Sequence, residues 1–149
     1  MTMRTTSRLV STGMPRPEVL LIDTHVVLWW RAGSDRLSPR ARRSIESADR
    51  VGISPISALE IGMLVEKGRV QLDRPVIHWI DDLFREQQVG TAELSPLVAA
   101  QAASLSEFHG DPADRIIYAT ALLSGSHLVT KDARIRTYAA ATGAVSTIW

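Results

Sequence analysis

Five short apolar runs alternate with helical segments along the 149 residues, and that alternation predicts an α/β fold. The sheet should be mainly parallel, with helices on both faces. Two further observations agree. The run VLLI at 19–22 is continuously apolar, as in a strand buried on both sides. Ser-Pro or Asp-Pro pairs at 38–39, 54–55 and 111–112 mark helix starts, with the polar residue as N-cap and proline at the first helical position.

The elements follow in order. VLLI is the first strand, ending at Asp23, and THVVLWWRAG is a short helix closed by Gly33. LSPRARRSIESA is a helix capped by Ser38, and RVGIS is the second strand. SPISALEIGMLVEKG runs about three turns to Gly68. RPVIHWIDDLFREQQ is amphipathic, with Val76, Ile77, Ile80, Leu83 and Phe84 on one side. VGTAEL is a third strand and PLVAAQAASL another helix. DPADRIIYATALLSG is a strongly apolar helix, HLVT a strand, DARIRTYAAATG a helix and AVSTIW the last strand.

Residues 19–149 are long enough for one domain with one sizeable core. Residues 1–18 lack the apolar stretch of a signal peptide and read as a flexible tail, compatible with a start at Met14. Composition is ordinary for a soluble protein, 45% hydrophobic and 22% charged, and no run is long enough to span a bilayer. The absence of cysteine excludes disulfides and thiolate metal sites. These features place the protein in the cytoplasm. Net charge is +1, so no global field draws in nucleic acid, yet residues 31–50 hold six arginines against three acids. That stretch is either a solvated helix face or a patch facing phosphate.

Four carboxylates stand out. Asp23 and Asp132 directly follow strands, Asp114 opens the apolar helix, and Glu60 lies early in the helix after the second strand. Ligands of open parallel sheets bind at the carboxyl ends of the strands. Asp23 and Asp132 also suit helix caps, and Asp111-Pro112 with Asp114 in the first turn is a sound helix start. Burial argues for more. Asp114 shares a face with Ile117, Tyr118 and Ala121, and Glu60 has no cation three or four residues away. Several unpaired acids on core-facing surfaces repel unless a cation sits among them. Mg²⁺ or Mn²⁺, which prefer oxygen ligands, fits that need and suits phosphoryl chemistry. The four histidines lack zinc spacing and read as structural or surface residues.

LLIDTHVVLWW, GISPISALEIGML, DPADRIIYATAL and HLVTKD resemble, in order, the four acidic motifs of PIN-domain ribonucleases. The tryptophan pair and the DPADR form resemble the VapC-type toxins of toxin–antitoxin pairs. The resemblance runs from about residue 19 to the C-terminus. It implies a three-layer α/β/α sandwich in which Asp23, Glu60, Asp114 and Asp132 surround Mg²⁺ or Mn²⁺. It implies hydrolysis of RNA phosphodiester bonds by water that the metal activates, a cognate antitoxin that blocks the site, and a homodimer. Thr24, Ser57 and Thr130 match positions where the family carries hydroxyls. Asp111 is assigned to capping rather than a peripheral metal role, and Arg115 either touches phosphate or braces an acid. Adjacent Trp29 and Trp30 cannot point the same way, so either one covers a partner surface or both are half-buried in the core.

Two other readings compete. A catalytically silent PIN-like module would bind RNA or a protein without cutting, but all four acids are present here. A haloacid-type phosphatase would need an acid at position 25, which is His25.

Overall fold

The apolar run at 19–22 becomes the middle strand of the sheet, and its side chains alternate between two cores, Leu20 and Ile22 in one and Leu21 in the other. The computed structural model describes residues 19–149, so the tail expected over residues 1–18 lies outside the described residues. The elements in chain order are β1 (Val19–Ile22), α1 (Thr24–Ala32), α2 (Pro39–Ser47), β2 (Arg50–Ile53), α3 (Pro55–Glu66) and α4 (Val76–Arg85). They continue as β3 (Val89–Thr91), α5 (Pro96–Ala103), α6 (Pro112–Ser124), β4 (His127–Val129), α7 (Ala133–Thr142) and β5 (Thr147–Ile148).

Sheet order is β3-β2-β1-β4-β5, and every neighbouring pair is parallel. Val26 and Val27 of α1, Ala41 and Ile45 of α2 and Leu83 of α4 pack on the Leu20–Ile22 face. Ile117 and Tyr118 of α6 and Ile135 and Ala139 of α7 pack on the Leu21–Leu128 face. This is the three-layer α/β/α arrangement the sequence predicts.

The helix starts follow the predicted chemistry. Ser38 Oγ accepts from Ala41 N–H at 3.0 Å and Ser54 Oγ from Ile56 N–H at 3.2 Å, each followed by proline. Gly33, at φ 63°, closes α1 in the left-handed conformation, where its N–H reaches the carbonyls of the last turn.

Three expectations change. β3 stops at Thr91 rather than Leu94 because β2 ends at Ile53, whose carbonyl takes the last bond, from Ala92 N–H at 2.9 Å. β5 shrinks to Thr147–Ile148, since it meets only Leu128 and Val129 of β4. Ile77 leaves the core stripe of α4 and is 76% exposed. Val76, Ile80, Leu83 and Phe84 fill the stripe at helical spacing, and Ile77 sits about 100° round the axis from Val76.

Strand succession runs outward one way from β1 through β2 to β3 and the other way from β4 to β5. The order therefore reverses between β1 and β4, which opens a crevice at their carboxyl ends.

Candidate metal centre

Asp23 and Asp132 stand at that crevice because they follow β1 and β4. Asp114 comes from the first turn of α6, and Glu60 from the second turn of α3. All four line one pocket of about 530 Å³, together with Asp111. Residues from four separate segments thus meet at the switch point of the sheet.

Hydroxyls fix these acids. Thr130 Oγ1 donates to Asp23 Oδ2 at 2.7 Å and accepts from Asp132 N–H at 3.1 Å, tying the two strand ends together. Thr24 N–H donates to Asp23 Oδ1 at 2.8 Å. Thr24 Oγ1 gives its proton to Glu60 Oε1, so Ser57 Oγ, 2.9 Å away, is the donor to Thr24. Thr24, Ser57 and Thr130 are themselves buried.

Burial and mutual repulsion dominate the electrostatics. Burial pushes the Asp23 carboxyl above its ordinary value, against the hydrogen bonds from Thr130 and Thr24, and the Asp132 charge adds to the rise. Asp114 is pushed up to about 6, first by burial and then by the charges of Asp23, Asp111 and Asp132, with the His109 hydrogen bond opposing. Burial also raises Glu60, with Asp111 and Asp23 adding to it and the Thr24 hydrogen bond opposing. Asp132 goes the other way. Burial pushes it up, but bonds from the Arg134 side chain and from Ile135 and Arg134 N–H outweigh this and hold it below its ordinary value. A site that raises three of its four acids is short of positive charge at its centre.

Cations ring the pocket instead. Arg36, Lys131 and Arg134 line its edge, and Arg134 reaches Asp132 at 3.4 Å and Asp114 at 3.8 Å. Lys131 Nζ lies 5.6 Å from the Trp29 ring centroid.

His109, which the sequence places among structural or surface histidines, lies beside the acids. Its Nε2 lies 2.7 Å from Asp114 Oδ2, and donor atoms of His109, Asp114 and Asp132 come within 4.8 Å of one another. An ionised carboxylate only accepts, so Nε2–H is the donor when Asp114 is charged. The His109 ring also stacks on Phe108 at 4.4 Å. No metal-ligand spacing marks His109 in the sequence; its position five residues before Asp114 in the loop leading into α6 was the available signal.

Arg115 neither touches the pocket nor braces an acid. Its guanidinium takes the carbonyls of Ala102, Leu105, Phe108 and His109, at 2.8–3.3 Å, and so fastens the loop that presents His109. Asp111 caps α6, its Oδ1 accepting from Ala113 N–H at 3.0 Å, and still contributes charge to the pocket. Both tryptophans are half-buried against the first core. Trp29 lines the pocket and contacts His25 and Trp149, while Trp30 carries the Arg31 guanidinium 5.0 Å from its ring.

The donor set fits a hard divalent cation. It offers carboxylate oxygens held by hydrogen bonds, an imidazole that bonds one of them, and a charge deficit that the ion would fill.

Residues 20–141 match the family model of the PIN domain. The chain is 47% identical over 120 residues to Ribonuclease VapC22 of Mycobacterium tuberculosis, an alignment covering 80% of this chain and 91% of that protein. Among solved structures it resembles a toxin–antitoxin complex from Klebsiella pneumoniae, with TM-score 0.57, 21% identity, and coverage of 78% of this chain and 89% of that one. It also resembles VapBC2 from Rickettsia felis, solved with a DNA fragment from its promoter. There the TM-score is 0.60, identity is 12%, and coverage is 87% of this chain and 96% of that one. At these identities the structural likeness is one of fold.

Proposed function

Because the chain belongs to the PIN-domain family, we propose that it is a metal-dependent endoribonuclease, the toxin of a toxin–antitoxin pair. The observation that carries the reading is the meeting of Asp23, Glu60, Asp114 and Asp132 in one pocket at the sheet's switch point. The 47% identical relative is itself called a ribonuclease.

Mg²⁺ or Mn²⁺ is the expected ion, held by Asp23, Asp114 and Asp132 with Glu60 and His109 beside them. Bound there, it supplies the charge that activates water and stabilises the oxygens of an in-line displacement. The chain's own residues do the rest. Thr24, Ser57 and Thr130 hold the carboxylates so that their oxygens converge. Arg36, Lys131 and Arg134 at the rim attract the RNA backbone toward a centre that would otherwise repel it. Arg134 already pairs with Asp132 and Asp114, so it can exchange carboxylate for phosphate without leaving the rim.

The cognate partner is an antitoxin, in keeping with the complexes that the structural neighbours form. A second copy of the chain is the other partner, and the exposed Leu59, Met63 and Ile77 offer an apolar face for it. No described helix is long and apolar enough to cross a membrane. The cytoplasm, where cellular RNA is made and translated, is the site of action that suits a ribonuclease.

The test is incubation of the purified, antitoxin-free chain with total bacterial RNA and Mn²⁺ or Mg²⁺, beside reactions with EDTA or the Asp23→Asn protein. Discrete fragments that need both the metal and Asp23 are expected. Cleavage that survives EDTA or the substitution would refute the assignment.

A further inference from the structure

A second hollow of about 600 Å³ lies beside the acidic pocket. The two share a wall, because His25, Trp29 and Arg36 line both. Beyond that wall the chemistry reverses. The acidic pocket gathers carboxylates; this hollow is lined by arginines 31, 36 and 69, by Trp29 and Trp79, and by apolar residues that include Leu28 and Leu72.

These cations are not equivalent. Arg31 is paired with Glu86 at 3.4 Å. Arg36 and Arg69 are exposed, and among the described residues neither has a carboxylate within ion-pair distance. Asp73 is the sole carboxylate among the described lining residues, and Arg74 holds it in a two-pronged pair at 2.9 Å. The hollow therefore presents two guanidiniums without a carboxylate partner, and two half-buried tryptophans line it.

We propose that this hollow is a subsite for one nucleotide of single-stranded RNA, flanking the bond that is cut at the acidic pocket. The proposal rests on the ribonuclease reading above. An RNA backbone entering a ring of carboxylates needs cations on its approach, and Arg36 stands on the shared wall to supply one. A guanidinium matches a phosphate with two parallel hydrogen bonds. An indole stacks on any base, so the subsite grips without reading sequence. A duplex keeps its bases inside and cannot offer one to the hollow, which makes the ligand single-stranded. The arginine-rich stretch is thereby divided. Arg31 and Arg36 face the groove, whereas Arg42 binds the carbonyl of Ser34 and Arg50 lies against Gly90.

The test uses a fluorescein-labelled oligouridylate of about ten nucleotides, in EDTA so that nothing is cut, with anisotropy followed against salt. The double variant R36Q/R69Q should bind about tenfold or more weakly. Its log–log salt slope should be shallower by roughly 0.7 for each phosphate that the variant no longer neutralises. Trp79→Leu should weaken binding about fivefold and leave the slope unchanged. Circular dichroism of each variant confirms folding, and the substituted arginines are on the surface.

Unchanged affinity and slope in R36Q/R69Q would overturn the subsite. So would equal binding of a duplex, or displacement of the RNA by polyglutamate at equal charge, which would make an acidic protein segment the occupant. Cleavage of total bacterial RNA with Mn²⁺ tests the underlying reading separately. A wild type that cuts while the variants bind normally overturns the subsite alone. A wild type that binds through Arg36 and Arg69 but never cuts overturns the ribonuclease reading, and with it the subsite's place beside a scissile bond.

Discussion

His109 Nε2 stands 2.7 Å from Asp114 Oδ2, on a loop whose carbonyls are gripped by Arg115. The imidazole sets the direction in which Asp114 offers its oxygens. His109→Ala should weaken Mn²⁺ binding and RNA cleavage together, each by about 10–100-fold, the range for a missing partner of a metal ligand. His109→Gln, which keeps an N–H at similar reach, should recover part of both. Mn²⁺ titration by electron paramagnetic resonance measures the first effect independently of activity; full Mn²⁺ affinity in His109→Ala would refute the role.

Asp114→Asn should abolish cleavage and yet raise the melting temperature of the metal-free protein at pH 7. The carboxylate is buried among like charges, which is why its pKa rises to about 6, and the amide removes the repulsion. Thermal denaturation in EDTA checks this. A lower melting temperature than wild type would show that the charge is not the liability it is taken to be.

The same shift sets a pH dependence. In the folded protein Asp114 keeps its proton to about pH 6, whereas the unfolded chain releases it near the ordinary 3.8. The folded state holds more protons between those values, so this group's contribution to stability is full below about pH 4 and is lost as pH rises through 6. Asp23 and Glu60 are raised too and act in the same sense, while Asp132 is lowered and acts in the opposite one. Melting temperatures in EDTA should therefore fall from pH 4 to 7. The extra stability conferred by Mn²⁺ should fade below about pH 6, where protons compete for Asp114.

Thr130→Val should cost about 1–3 kcal/mol, because it removes the donor to buried Asp23 and the acceptor of Asp132 N–H in one step. Thr130→Ser should restore most of the loss. Urea unfolding at pH 7 in EDTA separates the two, and equal midpoints for valine and serine would contradict the hydroxyl's role.

Arg115→Ala should lower stability by about 2–3 kcal/mol by leaving loop carbonyls without their donor. It should also lower Mn²⁺ affinity through the loosened His109. Arg115→Lys should rescue little, since a point charge cannot serve four carbonyls as a planar fork does.

The sheet and the positions of Asp23, Asp114 and Asp132 were legible because each adjoins a strand end or a helix start, which hydrophobic runs and Ser-Pro or Asp-Pro pairs mark locally, while Glu60, in the second turn of α3, was marked by the lack of a cation three or four residues away. His109 was not, because its place is set by loop carbonyls bonding a side chain six residues later, a relation with no period. Arg115 adjoins Asp114 in the sequence, which suggests a partner for acid or phosphate. Neighbours on a helix point about 100° apart, and that rotation turns it away from the pocket. Ile77 departs for the same geometric reason, one residue off a stripe already filled. The hydroxyls of Thr24, Ser57 and Thr130 follow from family resemblance, and their hydrogen bonds give the physical ground for it.

The bond from Thr130 to Asp23 joins residues 107 apart in the chain. Glu60 and Asp114 enter the same pocket from between them. No contiguous half of the domain carries all four acids, and β1 meets β4 only when the ends of a connection that also contains β2 and β3 are brought together. The acid cluster therefore depends on long-range strand pairing and cannot be built by local helix formation alone. A fragment that lacks either end of the domain would lack part of the acid cluster. The complete cluster is thus a property of the whole native domain rather than of any one segment.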